Sequence, residues 1–108
     1  MVEILKYVDR AGRSPFERWF VRLRDEAAQA AILIRLRRLA LGLAGDTKSV
    51  GAGVFELRVH IGTGYRVYFA WERPDQALLL GGGTKATQAI DIATARQRLI
   101  AHRGKVKH

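Results

Sequence analysis

Two alternating segments stand back to back in the middle of the chain and leave few folds open. Val54 to His60 sets Phe55, Leu57 and Val59 on one side and Glu56, Arg58 and His60 on the other. Tyr65 to Trp71 sets Tyr65, Val67, Phe69 and Trp71 against Arg66, Tyr68 and Ala70. Side chains alternate across a strand with period two, so each segment reads as a strand with one greasy and one wet face. Ile61-Gly62-Thr63-Gly64 makes the turn between them, and the pair is a β-hairpin. The greasy face needs a cover, which the rest of the chain must supply.

That cover is helical. Ser14-Pro15-Phe16-Glu17 places a hydroxyl cap, a proline at the first helical position and a glutamate three residues after the cap. Phe16, Trp19, Phe20 and Leu23 follow at i, i+3, i+4 and i+7, with Arg18, Arg22 and Arg24 off that face. Asp25 caps a second helix running to about Leu43, with Ile32, Leu33, Leu36, Leu39, Ala40 and Leu43 as its buried stripe and Gly42 and Gly45 at its end. With almost no linker between them, the two helices form a hairpin laid on the sheet.

Val2 to Val8 reads as a first strand at or near the sheet edge, and Asp46 to Gly53 as a polar, glycine-rich loop carrying Lys48. A turn at Glu72 to Asp75 leads to Ala77 to Gly81, whose unbroken apolar run suits a central strand covered on both faces. After Gly81-Gly82-Gly83-Thr84-Lys85, helical spacing returns from Ala86 to His102 with Ile92, Leu99 and Ile100 as anchors, and Arg103 to His108 is a frayed basic tail. The order is βααβββα. This predicts one α+β domain over residues 1–108, with a four-stranded, antiparallel-dominated sheet, an N-terminal helical hairpin and a C-terminal helix.

Composition narrows the function. Nineteen Lys and Arg against ten Asp and Glu give a formal charge of +9, a field that draws polyanions or an acidic protein partner. The absence of cysteine excludes a disulfide framework, a thiolate nucleophile and a Cys-based zinc site. No apolar run approaches the roughly 18 residues that span a bilayer, and Met1 to Arg10 carries acidic residues without a signal-type core. A soluble cytoplasmic protein that touches no membrane is expected. His60, His102 and His108 lie far apart without ligand spacing, so neither a metal nor another cofactor is expected.

The polar side of the hairpin is the distinctive constellation: Arg58 and His60 on one strand, Arg66 and Tyr68 on the next. Whether the two pairs share a face depends on register. They do if His60 sits opposite Arg66, which needs an odd-length loop or a bulge, and they do not if His60 sits opposite Tyr65. In the first case two guanidiniums, an imidazole and a phenol gather beside Lys85, a set suited to clamping a phosphodiester and stabilising charge that develops on it. RNA carries its own nucleophile in the 2′-hydroxyl, so such a site needs neither metal nor cysteine. The plainer reading is a solvated sheet face.

Gly81 to Lys85 reads either as a phosphate cradle at a helix start or as a plain strand-to-helix turn. Trp19, Phe16, Phe20, Phe55, Phe69 and Trp71 belong to the core, whereas Tyr68 is placed to stack on a base. Arg35, Arg37 and Arg38 form the wet side of the second helix. Among these residues Arg35, Arg38 and Lys48 are candidate phosphate contacts.

Three stretches together resemble a known family. They are Ser49-Val50-Gly51-Ala52-Gly53-Val54-Phe55-Glu56-Leu57-Arg58, then Gly64-Tyr65-Arg66-Val67-Tyr68-Phe69, then Leu78-Leu79-Leu80-Gly81-Gly82-Gly83-Thr84-Lys85 with Gln88 and Asp91. With the Ser14-Pro15-Phe16 helix start and the element order, the chain resembles the phage-related HigB-like branch of the RelE/ParE toxins over nearly its whole length. The resemblance implies a RelE-like fold and the toxin of a type II toxin–antitoxin pair, an addiction-module killer that arrests growth. Its RelE-like members cut messenger RNA, usually on the translating ribosome and without a metal, by attack of the 2′-hydroxyl on the adjacent phosphate to leave a 2′,3′-cyclic phosphate.

By the same resemblance Arg66 matches the arginine that touches the scissile phosphate, Lys85 a second basic catalytic position, and Arg58 the strand that supplies further basic residues. Gln88 joins Arg35, Arg38 and Lys48 as a candidate RNA contact. The chain departs from the pattern in the final helix, where Asp91 stands in place of a tyrosine, so either His60 or Tyr68 serves in proton transfer or the activity is altered. The implied partner is a cognate antitoxin, dimeric and of helix-turn-helix type, acidic where it touches this protein. The ParE-like relatives share the fold but inhibit DNA gyrase by binding it, which is the alternative function. A basic RNA-binding module without activity is a third.

Overall fold

A computed structural model describes residues 1–105, and residues 106–108 at the end of the expected tail lie outside the described residues. The elements are β1 (Glu3–Lys6), α1 (Pro15–Val21), α2 (Glu26–Ala40), β2 (Thr47–Ser49), β3 (Phe55–Val59), β4 (Tyr65–Arg73), β5 (Gln76–Thr84), a 3-10 turn (Lys85–Thr87) and α3 (Gln88–Lys105). The α+β class is as expected. The sheet, however, has five strands in the order β1-β5-β4-β3-β2. The fifth is β2, which lies in the stretch expected to be loop: Thr47, Lys48 and Ser49 pair antiparallel with Leu57, Glu56 and Phe55. Three polar residues carry no period-two signal, and only the open edge of β3 recruits them.

The helix starts form as their caps dictate. Ser14 Oγ accepts from the Glu17 amide at 3.2 Å and Asp25 Oδ1 from the Ala28 amide at 3.1 Å. The second helix stops at Ala40, short of the expected Leu43. Gly42 at φ +81° lets the Leu43 amide reach back to the Arg38 carbonyl (2.8 Å) and its own amide to that of Leu39 (2.9 Å), a Schellman closure. Leu43, expected in the buried stripe, is therefore exposed; Leu33, also expected there, is exposed on the outer side of α2, as is Ile100 on α3. The last helix begins two residues later than the spacing suggests and continues through Arg103 to Lys105.

Both sheet faces are covered. Leu57 and Val59 of β3, Val67 and Phe69 of β4, and Ala77 and Leu79 of β5 pack against Phe16 of α1 and Ile32, Leu36 and Leu39 of α2. On the other face Tyr68, Ala70, Leu78 and Leu80 pack against Ala95 and Leu99 of α3, with Tyr7 and Val54. Each buried Val, Leu, Ile or Phe side chain among these contributes about 1.5–3 kcal/mol by leaving water. This second layer overturns the expectation of a wet face: where α3 lies, Glu56 and Tyr68 are fully buried. β1 pairs in parallel with β5, and no described helix is long and apolar enough to cross a membrane.

Candidate active site

The β3–β4 hairpin pairs Phe55 with Phe69, Glu56 with Tyr68, Leu57 with Val67, Arg58 with Arg66 and Val59 with Tyr65. Neither register weighed from the sequence occurs. The five-residue loop His60 to Gly64 shifts the pairing by two from the first of them, which keeps its parity, so Glu56, Arg58, Arg66 and Tyr68 share one face. The loop closes through the Gly64 amide on the Ile61 carbonyl at 2.9 Å.

Glu56 is the hub of that face. Its carboxylate accepts from Arg58 Nε at 3.0 Å, from the Tyr68 hydroxyl at 3.1 Å and from Gln88 Nε2 at 2.8 Å, with Arg66 Nε 3.4 Å away. Burial, the largest influence, pushes the Glu56 carboxyl up. The hydrogen bonds from Arg58, Gln88 and Tyr68 together with the Arg66 charge outweigh it, and the group is held below the ordinary carboxylate range. Burial, and then the charge and hydrogen bond of Glu56, push the Tyr68 phenol the other way, well above its ordinary value.

Arg58, His60, Arg66 and Lys85 line a cleft of about 180 Å³ at the hairpin end, with Gly64 and Tyr65 completing its wall. Lys85 arrives from the 3-10 turn, whose first amide donates to the Gly64 carbonyl at 3.3 Å. His60 is exposed, and its Nε2 lies 2.5 Å from Asp46 Oδ2. The His60 hydrogen bond is the main cause holding the Asp46 carboxyl below its ordinary range, against the opposing effect of burial and with help from the Arg58 charge.

Four of the nine candidate residues thus meet in one cleft, and the other five do not. Tyr68 is buried under α3 with its hydroxyl committed to Glu56, so it neither stacks on a base nor accepts a proton. Gln88 spends its amide on Glu56. The Arg35 guanidinium turns inward and donates to the backbone carbonyls of Arg58, Ala44 and Asp46, which makes it a clamp between α2 and the hairpin. Arg38 is exposed on α2, across the sheet from the cleft, and Lys48 is exposed on β2.

The glycine run is strand and turn, not a phosphate cradle. Gly81, Gly82 and Gly83 pair with Tyr68, Val67 and Arg66, and a β-bulge falls between Tyr68 and Phe69. Where side chains would stand, Arg98, Trp19 and Asp91 stand instead, and the Trp19 ring against Gly82 is the contact least able to give way. Asp91, the departure noted in the final helix, packs on Gly83 and accepts from the Thr87 hydroxyl. His102 pairs with Glu72, and among the described residues no three His, Asp or Glu side chains group as metal ligands would. Sequence reasoning missed Glu56 and Asp46. The signal for Glu56 was there, a lone acid between Phe55 and Leu57 on the cationic side of a basic hairpin.

The profile of the family described as phage derived protein Gp49-like (DUF891) matches residues 18–100, a span that contains every residue of the cleft. An uncharacterized protein of Haemophilus influenzae (strain Rd) is 44% identical over 81 residues, which cover 75% of this chain and 82% of that protein. The chain belongs to the Gp49-like phage-derived family, a RelE-like toxin family whose members are commonly the toxins of toxin–antitoxin systems.

Proposed function

We propose that this protein is a HigB-like toxin that cuts messenger RNA as a metal-independent endoribonuclease, on the translating ribosome, and is neutralised by a cognate antitoxin. The observation that carries the reading is the meeting of Arg58, Arg66, Lys85 and His60 around one cleft sized for a ribose–phosphate linkage. The two guanidiniums supply forked donors to the non-bridging phosphate oxygens and offset the charge that builds on them. The 2′-hydroxyl attacks the adjacent phosphorus, the P–O5′ bond breaks, and a 2′,3′-cyclic phosphate and a free 5′-hydroxyl result. His60, whose Nε2 is held by Asp46, takes the proton from the 2′-hydroxyl on its other ring nitrogen. The Lys85 ammonium donates to the departing 5′-oxygen.

Induction with and without the antitoxin, followed by mapping of transcript ends, tests this. Fragments with cyclic phosphate ends, formed also in the presence of a chelator and absent with Arg66→Ala, are the expected result. A DNA damage response with intact transcripts would replace it with the gyrase-inhibitor reading.

A further inference from the structure

Among the described residues, Glu56 is the one charged side chain fully withdrawn from water. Withdrawing a carboxylate costs several kcal/mol, and a strand that needed only stability is served as well by an apolar side chain. Its surroundings indicate what the burial achieves. Arg58 and Arg66 are direct cross-strand partners, an arrangement that repels unless an anion stands between them. Glu56 accepts a hydrogen bond from Arg58 Nε at 3.0 Å, and Arg66 Nε, buried and with no hydrogen-bond partner among the described residues, lies within ion-pair reach of the same carboxylate at 3.4 Å. That leaves the terminal nitrogens of each guanidinium free of the carboxylate, and Arg66 Nη1 lies 3.8 Å from where a Cβ on Gly64 would sit, at the cleft wall. The third cation is tied in through Gln88, the first residue of α3, whose 2.8 Å bond to Glu56 pins the turn that carries Lys85.

We infer that Glu56 is a positioning residue that aims all three cleft cations, two of them directly and Lys85 through Gln88, at a single phosphate. The inference rests on the nuclease reading for its catalytic consequence but not for its geometry. Without the carboxylate, Arg58 and Arg66 repel and splay, and the phosphate loses convergent donors while the chain gains a net positive charge. RNA binding and RNA cleavage therefore respond differently to its removal.

The test uses the full chain with Glu56→Gln and Glu56→Asp. For Glu56→Gln, single-turnover cleavage falls on the order of tenfold or more while affinity for the same RNA stays within about threefold, and Glu56→Asp recovers part of the rate. A purely structural role would lower rate and affinity together and would not be relieved by aspartate. In parallel, the Nε–H NMR signals of Arg58 and Arg66, ordered in the wild type, broaden or shift in Glu56→Gln.

A folded Glu56→Gln protein that cleaves at the wild-type rate, or keeps both arginine signals unchanged, overturns the inference. If wild-type protein cleaves no RNA, free or ribosome-bound, the nuclease reading falls, and the arginine signals alone decide whether Glu56 positions them. Should Glu56→Gln fail to fold, Gln88→Ala leaves the buried pair intact and cuts only the tether. Cleavage then drops and Lys85→Ala adds less in that background than in wild type, whereas full additivity overturns the link to Lys85.

Discussion

Arg58 and Arg66 face each other across the β3–β4 ladder and both turn Nε toward the same buried carboxylate, at 3.0 and 3.4 Å. Two like charges at adjacent ladder positions would ordinarily weaken a hairpin. Here Glu56, two residues before Arg58 and opposite Tyr68, converts the repulsion into a fixed pair of forks at the mouth of a cleft.

Arg66→Ala should relieve growth arrest on induction. Its side chain is only 12% exposed, so the substitution should also cost about 1–2 kcal/mol in urea unfolding, more than the few tenths expected of a free surface arginine. Arg66→Lys keeps the charge without the fork and should restore little activity. Full toxicity from a folded Arg66→Ala protein would remove this residue from the mechanism.

Acid stability should depend on Glu56. Its carboxyl is held below the ordinary glutamate value of 4.5 in the folded chain, so the folded state favours the ionised form. The stabilisation is complete above that value and is lost as pH falls through the depressed folded value. Unfolding midpoints measured between neutral and acid pH should fall less steeply below 4.5 for Glu56→Gln than for wild type. Parallel curves would show that the carboxylate gains nothing from its partners.

Arg35 and Arg38 should separate cleanly. Arg35→Ala removes the donors that satisfy three backbone carbonyls between α2 and the hairpin, and should cost about 1–3 kcal/mol. Arg38→Ala, on the exposed side of α2, should change stability by less than about 0.5 kcal/mol. Chemical denaturation of the two variants distinguishes a clamp from a free cation.

Glycine at position 82 should be irreplaceable, while at 104 it is not. A Cβ on Gly82 would run into the Trp19 ring, so Gly82→Ala should lose about 1–3 kcal/mol through overpacking. Gly104 lies in α3 with open space around it, and Gly104→Ala should raise stability by about 0.5 kcal/mol. Thermal melts of both variants check the pair of signs.

Much of the architecture is written locally in the sequence. Ser14 and Asp25 mark helix starts because a short polar side chain next to free amides has one good use, and the alternation from Phe55 to Trp71 fixes which residues share a face of each strand. Arg58, Arg66 and Lys85 could be singled out as cations of the hairpin and its neighbourhood, with His60 beside them. Long-range packing decided the rest, because a period-two pattern does not say what lies over either face. The five-residue loop set the parity that brings Arg58 and Arg66 together, and α3 covered the face that looked wet, burying Tyr68 and Glu56. Arg35 was drawn inward by carbonyls that no local pattern announces. Local chemistry chose the residue types, and the energy of covering both sheet faces at once chose which of them reach the cleft.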